Sequence, residues 1–200
     1  MTDTAEDVID ALVGISPGSA LDAVRSRRPE ARAQAQASYR ALFAPESAGG
    51  VAIEERFALG AFVAGLHGVE DIRKHYAAGL TAGSASSALR AAVDTAILEA
   101  QGQGPYGSYP PGPLSREDAA GPLYRASAGV RGTLGARLAA AFEHMHLLVF
   151  HPRDAEPAAL QSLLDAGWST TDIVTLSQIA AFLAFQIRVV SGLRVLAGRS

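Results

Sequence analysis

The sequence predicts an all-α protein, and three observations carry that reading. No stretch alternates apolar and polar residues over a strand's length. Glycines and prolines sit between apolar segments rather than inside them. The stretch from Trp168 to Leu196 repeats apolar residues at helical spacing along its whole length.

That last stretch opens with Ser169-Thr170-Thr171-Asp172, a capping-box pattern, after Gly167 ends whatever precedes it. Ile173, Leu176, Ala180, Leu183, Ile187 and Val190 form one stripe, and Ile179, Phe182, Val189 and Leu193 a second beside it. A helix apolar nearly all round is a central or interface helix, and this one would span roughly 40 Å at about 1.5 Å per residue. A bilayer span is disfavoured because Ser177, Gln178, Gln186, Arg188 and Arg194 interrupt the run. Ser177, Ala181, Ala184, Arg188 and Ser191 share a narrow line of small residues with one guanidinium. If buried, Arg188 needs a carboxylate, carbonyls or a ligand.

From the start, Glu6 to Val13 reads as a short helix stopped by Gly14, and Ser16-Pro17 caps a second helix through Val24. Pro29 opens a third, ended by Pro45 and Gly49-Gly50, with a modest apolar face of Ala33, Ala37, Tyr39 and Leu42. Residues 1–48 are expected to form a helical arm on a main domain spanning residues 49–200. In that domain Ile53 to Leu66 is a strong helix, with Glu54 and Glu55 in its first turn and Gly60, Ala61, Ala64 and Gly65 allowing close approach. Val69 to Leu80 and Ser84 to Gln101 follow. Residues 102–122, with the run Pro110-Pro111-Gly112-Pro113, cannot be helix. This loop reads either as a surface crossover or as an arm embracing a neighbouring subunit through Tyr106 and Tyr109. Thr133 to Phe150, Glu156 to Ala166 and the last helix complete a second trio, suggesting two similar helical halves.

The 200 residues suffice for one full core. A net charge of −3 and the lack of a basic cluster argue against nucleic acid. The acidic start MTDTAEDVID lacks a secretory pattern, so a cytoplasmic protein is expected. There are no cysteines, which removes thiolate nucleophiles, disulfides and Cys-ligated metals together.

The histidines are grouped. His144, His146 and His151 lie in FEHMHLLVFH, where Glu143 and His146 have the i, i+3 spacing of carboxylate-bridged di-iron bundles. A second unit would need Asp71 with His75, joined by Glu99 or Asp94; ordinary surface or capped histidines are the default, and no metal is expected. His67, beside Gly68 at a helix end, either holds a proton in the C-terminal dipole or bonds a free carbonyl. No phosphate loop, nucleophile elbow or zinc motif occurs, and no cofactor is expected.

Glu55-Arg56 opening a helix, the turn Ala166-Gly167-Trp168-Ser169 with Asp172-Ile173-Val174, and Phe182, Phe185 and Arg188 in the last helix resemble the carboxymuconolactone decarboxylase and alkylhydroperoxidase-D-like superfamily, its peroxidase-related members in particular. The resemblance covers about residues 50 to 197. It implies an alkylhydroperoxidase-D-like helical bundle and a homo-oligomer, whether dimer, trimer or hexamer. With Glu55-Arg56 in register, the family's relay glutamate falls on Phe57, its two cysteines on Val69 and Ile72, and its relay histidine on Tyr76, one residue after His75. Thiol peroxidase chemistry is therefore excluded.

The expectation is a cysteine-less relative that binds a small organic acid. The alternative is a cofactor-free decarboxylase, isomerase or lactone-handling enzyme. In that alternative Arg188 clamps a carboxylate and His67, Tyr76 or His146 exchanges a proton. The pocket candidates are thus His67, His75, Tyr76, Glu143, His146 and Arg188. The two apolar stripes of the last helix predict a buried subunit interface, and no membrane partner is expected.

Overall fold

The computed structural model describes residues 7–83 and 85–198; Glu6 and Ser84, which began two of the expected helices, lie outside them. The described residues form nine α-helices and no strand. These are α1 (Val8–Val13), α2 (Ala20–Ser26), α3 (Pro29–Phe43), α4 (Ile53–Leu66), α5 (Glu70–Ala82), α6 (Ser87–Glu99), α7 (Ala128–Phe150), α8 (Pro157–Asp165) and α9 (Thr170–Leu196). The chain is all-α, as its periodicity requires.

Several starts follow local capping chemistry. Ser169 and Asp172 exchange the reciprocal bonds of a capping box, each backbone N–H donating to the other's side chain at 3.2 and 3.0 Å. Helix α2 begins later than Ser16-Pro17 suggested. Gly18 turns the chain at φ 78°, and Ser19 Oγ then accepts from the Asp22 amide at 3.2 Å. Helix α7 begins earlier than Thr133 and is broken at Gly135, whose φ of 75° and ψ of 162° are not helical. Its longer segment, 136–150, is the part the sequence pattern detects.

The most enclosed helix is α4. Every residue from Ala58 to Leu66 is buried, and α4 packs against α3, α5, α6, α7 and α9. Small residues make this enclosure possible. A Cβ on Gly60 would stand 2.6 Å from the Tyr76 ring, and one on Gly65 would stand 2.7 Å from Ile97, so neither neighbour could approach a larger side chain. Helix α9, expected at the centre, instead keeps one side open. Both of its apolar stripes are nevertheless mostly covered by its own chain, because α1 and α3 lie on it. Val174 and Phe185 remain 56% and 45% exposed on the uncovered side. By length and composition α9 could cross a membrane; its most apolar window has a mean hydropathy of 1.8 and is 44% buried in the fold.

The N-terminal helices are more than a surface arm. Val8, Ile9, Val13, Leu42 and Phe43 belong to the same hydrophobic cluster as α4 and α9. Ala33 and Ala37 are exposed, so the working face of α3 is Ala35, Leu42 and Phe43, with Tyr39 packed beside them.

The turn between α3 and α4 is closed by a buried guanidinium. Arg56, 5% exposed, donates Nε to the Val51 carbonyl at 3.0 Å, Nη1 to Leu42 at 2.8 Å and Nη2 to Ala48 at 2.8 Å. A second arginine joins three helix starts. Arg137 pairs with Glu55, donates to the Gly50 carbonyl and lies 3.4 Å above the Trp168 ring, whose Nε1 returns a bond to the Arg137 carbonyl at 2.7 Å.

Residues 102–127 run as irregular chain, with one short 3-10 turn at Pro113–Glu117 and one isolated bridge between Gly107 and Ala119. Tyr106 and Tyr109 bind this loop to its own chain. The Tyr106 ring lies 5.1 Å from His151, and Arg153 lies 4.1 Å over Tyr109.

Replacing Arg56 with methionine strands buried carbonyls at about 1–3 kcal/mol each, so Arg56→Met is expected to lose about 3 kcal/mol or more in urea unfolding. A loss below about 1 kcal/mol would show that the turn closes without it.

Candidate functional site

Two regions gather the residues that the sequence singled out, and they have opposite characters. The first surrounds Tyr76. Phe57, Ile72 and Tyr76, the positions where the superfamily pattern would place a relay glutamate, a cysteine and a relay histidine, do come together, but as packed apolar surface. Ile72 and Tyr76 are fully buried, and Phe43 inserts its ring 5.4 Å from Phe57 and 4.7 Å from Tyr76. Val69 stands just before α5 and is half-buried.

The polar atoms here are largely satisfied. The Tyr76 hydroxyl donates to Gln186 Oε1 at 2.6 Å, and His75 shares a hydrogen bond of 2.9 Å with the Tyr39 hydroxyl. Burial holds the Tyr76 phenol well above its ordinary pKa, which keeps it protonated. Tyr76 and His75 therefore serve the core, and neither lines the cavity described below.

Arg188 and His67 correct two further expectations. Arg188 is exposed on α9 and donates Nη1 to the Ala184 carbonyl of its own helix at 2.7 Å. It needs no buried partner. The buried arginines that do are Arg56, which ends up on three carbonyls, and Arg25, which pairs with Asp7 and Asp10. His67 follows α4, but its proton is held less tightly than usual. Burial lowers its pKa and the nearby Arg188 charge adds to the effect. Its Nε2 is buried with no hydrogen-bond partner, so it does not bond a free carbonyl.

The second region is a cavity of about 340 Å³ between the later part of α7, the start of α8 and residues 123–125. Glu143, His144 and His146 line it from α7, Tyr124 and Arg125 from the irregular segment before α7, and Asp154 and Glu156 from the approach to α8. Helical spacing explains the α7 set: Ala140, Glu143, His144 and Leu147 recur at three- and four-residue steps on one face. Glu143 is anchored by Arg131, by Arg125 Nη1 at 3.1 Å and by the Ala126 amide at 3.0 Å, which fixes the chain entering α7.

The two imidazoles are unusual. His144 is 6% exposed and His146 2% exposed, yet both ring nitrogens of His144 and Nδ1 of His146 have no hydrogen-bond partner. The His146 ring is edge-on to Phe150 at 5.0 Å and 5.8 Å from Tyr124. Burial, and secondarily His151, pushes the His146 pKa down to about 4, and burial lowers that of His144. Both rings are neutral at pH 7. Each then presents one N–H donor and one bare nitrogen acceptor.

Glu143 and His146 thus do share a site, as their spacing suggested. The other proposed metal unit does not join them. Asp71 pairs with Arg194 at 3.3 Å and Asp94 with Arg73 at 2.9 Å, while Glu99 accepts from Tyr124 at 3.5 Å. No group of three His, Asp or Glu side chains among the described residues is placed to hold a metal ion. His144, which the sequence reading did not single out, is the more unsatisfied of the pair. The only sequence signal for it is its place in FEHMHLLVFH beside Glu143. Gln186, fully buried with Nε2 unpartnered, was likewise not visible as a special position.

Compared with known proteins, the chain matches no family model, no curated sequence and no solved structure.

His67, His75, His144 and His146 all have lowered pKa values in the folded chain. The unfolded chain therefore binds more protons below its histidine pKa. Stability is complete above about pH 6.5 and falls as pH drops from there toward 5, at up to about 1.4 kcal/mol per pH unit for each strongly shifted group. Urea midpoints measured at pH 7.5 and 5.2 check this, and equal midpoints would contradict the burial of these rings.

Proposed function

We propose that this chain is a cysteine-less, non-redox relative of the carboxymuconolactone decarboxylase and alkylhydroperoxidase-D-like proteins, and that it binds a small organic acid in the α7–α8 cavity. The observation that carries the binding assignment is that two residues lining the cavity, His144 and His146, have buried ring nitrogens without partners. An unsatisfied buried polar group costs about 1–3 kcal/mol, and a site that keeps several of them is arranged for a ligand that satisfies them. Arg125, whose side chain is 72% exposed at the cavity, supplies the cation for an acid and takes the part that Arg188 cannot play.

The superfamily reading is supported by the helix trio α4–α6 and the trio α7–α9 on either side of the long loop, and by the Glu55-Arg56 helix opening. Phe57, Val69, Ile72 and Tyr76 supply neither thiol nor relay base, so peroxide reduction by a thiol is not part of the function. Homo-oligomerisation belongs to the same reading, with the exposed side of α9 around Val174, Ala181 and Phe185 as the surface to be covered.

A second reading, a cofactor-free enzyme, is favoured by the neutral state of His144 and His146. An imidazole that is unprotonated at pH 7 and faces a cavity can accept a proton from a bound acid, ester or lactone.

The test is a thermal-shift panel of small mono- and dicarboxylates and lactones on wild type and His144→Leu. Leucine is close to histidine in size and leaves no unsatisfied nitrogen. The variant is therefore expected to be as stable as wild type or up to about 1 kcal/mol more stable, while losing the ligand-induced shift. Carboxylate binding that survives His144→Leu would remove the cavity from the assignment.

A further inference from the structure

Resting on the acid-binding reading above, we infer that the acid bound in the α7–α8 cavity carries its own ammonium group: the ligand is a small aliphatic amino acid.

The charges around the cavity are unbalanced. One guanidinium, Arg125, faces it together with three carboxylates, Glu143, Asp154 and Glu156. Two of those carboxylates are already committed. Glu143 has Arg131 and the Ala126 amide besides Arg125, and Asp154 shares a hydrogen bond of 3.0 Å with His151 Nδ1 and accepts from the Ser108 amide at 3.3 Å. Glu156 stands before α8, is exposed, and makes no cap hydrogen bond; no ion pair to it occurs among the described residues. The cavity therefore offers one movable cation and one uncommitted anion. A ligand that is only a carboxylate meets Arg125 but also an excess of like charge, and one like charge in a half-buried site opposes binding by about tenfold or more. A ligand bearing both charges meets both.

The imidazoles give a second, independent reason. His144 leaves both ring nitrogens unpartnered, and when neutral one of them donates and the other accepts. A carboxylate can only accept and an ammonium can only donate. A zwitterion offers both kinds of group: its carboxylate suits Arg125 and an imidazole N–H of one ring, and its ammonium suits Glu156 and a bare nitrogen of the other, since His146 Nδ1 is unpartnered as well. Leu123, Leu147, Ala158 and Ala159 line the remainder and suit an aliphatic side chain.

The experiment is isothermal titration calorimetry of the full chain at pH 7.5 with three probes that share one carbon skeleton: leucine, 2-hydroxy-4-methylpentanoate and 3-methylbutylamine. The expected result is that leucine binds at least tenfold more tightly than either of the others. Glu156→Gln should weaken leucine at least fivefold and leave the hydroxy acid unchanged or slightly tighter. Arg125→Met should weaken leucine and the hydroxy acid together. A hydroxy acid that binds as well as leucine overturns the ammonium requirement and leaves the acid-binding reading standing. An amine that matches leucine overturns the need for the carboxylate. Failure of all three probes, together with no shift from any carboxylate in the panel above, overturns this inference and the acid-binding reading alike.

Discussion

The structure depends on the enclosure of α4. A helix with water on no side must meet its neighbours through residues small enough to let them close, and must leave no backbone group open at its start. Gly60, Ala61, Ala64 and Gly65 meet the first demand, admitting Tyr76 on one side and Ile97 on another. Arg56 and Glu55 meet the second. Arg56 gathers the carbonyls of Leu42, Ala48 and Val51, and Glu55 Oε2 accepts from the Ala52 amide at 2.9 Å while pairing with Arg137. Through Arg137 and Trp168 the same node reaches the starts of the long segment of α7 and of α9. Three helix beginnings are thereby set relative to one another by a few planar groups.

Around this helix the chain has divided its polar chemistry unevenly. On the side of α3 and α5, aromatic rings fill the space and the buried hydroxyls find partners: Tyr76 with Gln186, Tyr39 with His75. That side has the properties of a core, and Phe43 from the N-terminal helices completes it. On the side of α7 and α8, imidazoles are buried without partners beside a cavity, and their burial keeps them neutral. Buried polar groups without a protein partner are groups that a ligand can satisfy, and it is their place beside a cavity that separates these imidazoles from Gln186, whose unpartnered Nε2 lies in the packed core.

Much of the helical frame was legible in the residues because it depends on neighbours in sequence. Ser169 and Asp172 cap α9 through bonds spanning three residues, and the limits of α4 and α3 follow from Pro29, the acidic first turn of α4 and Gly68. The break at Gly135 was not legible, since a glycine at φ 75° inside an apolar run leaves no mark on the periodicity around it. The site was half legible. The Glu143 and His146 spacing placed both on one part of α7, but whether a nearby histidine faces a cavity, a carbonyl or a ring depends on segments far away in the chain.

By itself, then, the sequence determined the all-α class, most helix limits, the absence of thiol chemistry and the clustering of histidines in α7. The tertiary structure decided which arginines are buried, which helix is central and which histidines lack partners. Capping bonds and helical periodicity act over three or four residues and can be read in order. Burial is set by what packs on top: the end of α3 and the turn after it, carrying Leu42, Ala48 and Val51, close over Arg56, and α3, α5, α6, α7 and α9 together enclose α4, while Arg188 and one side of α9 stay open.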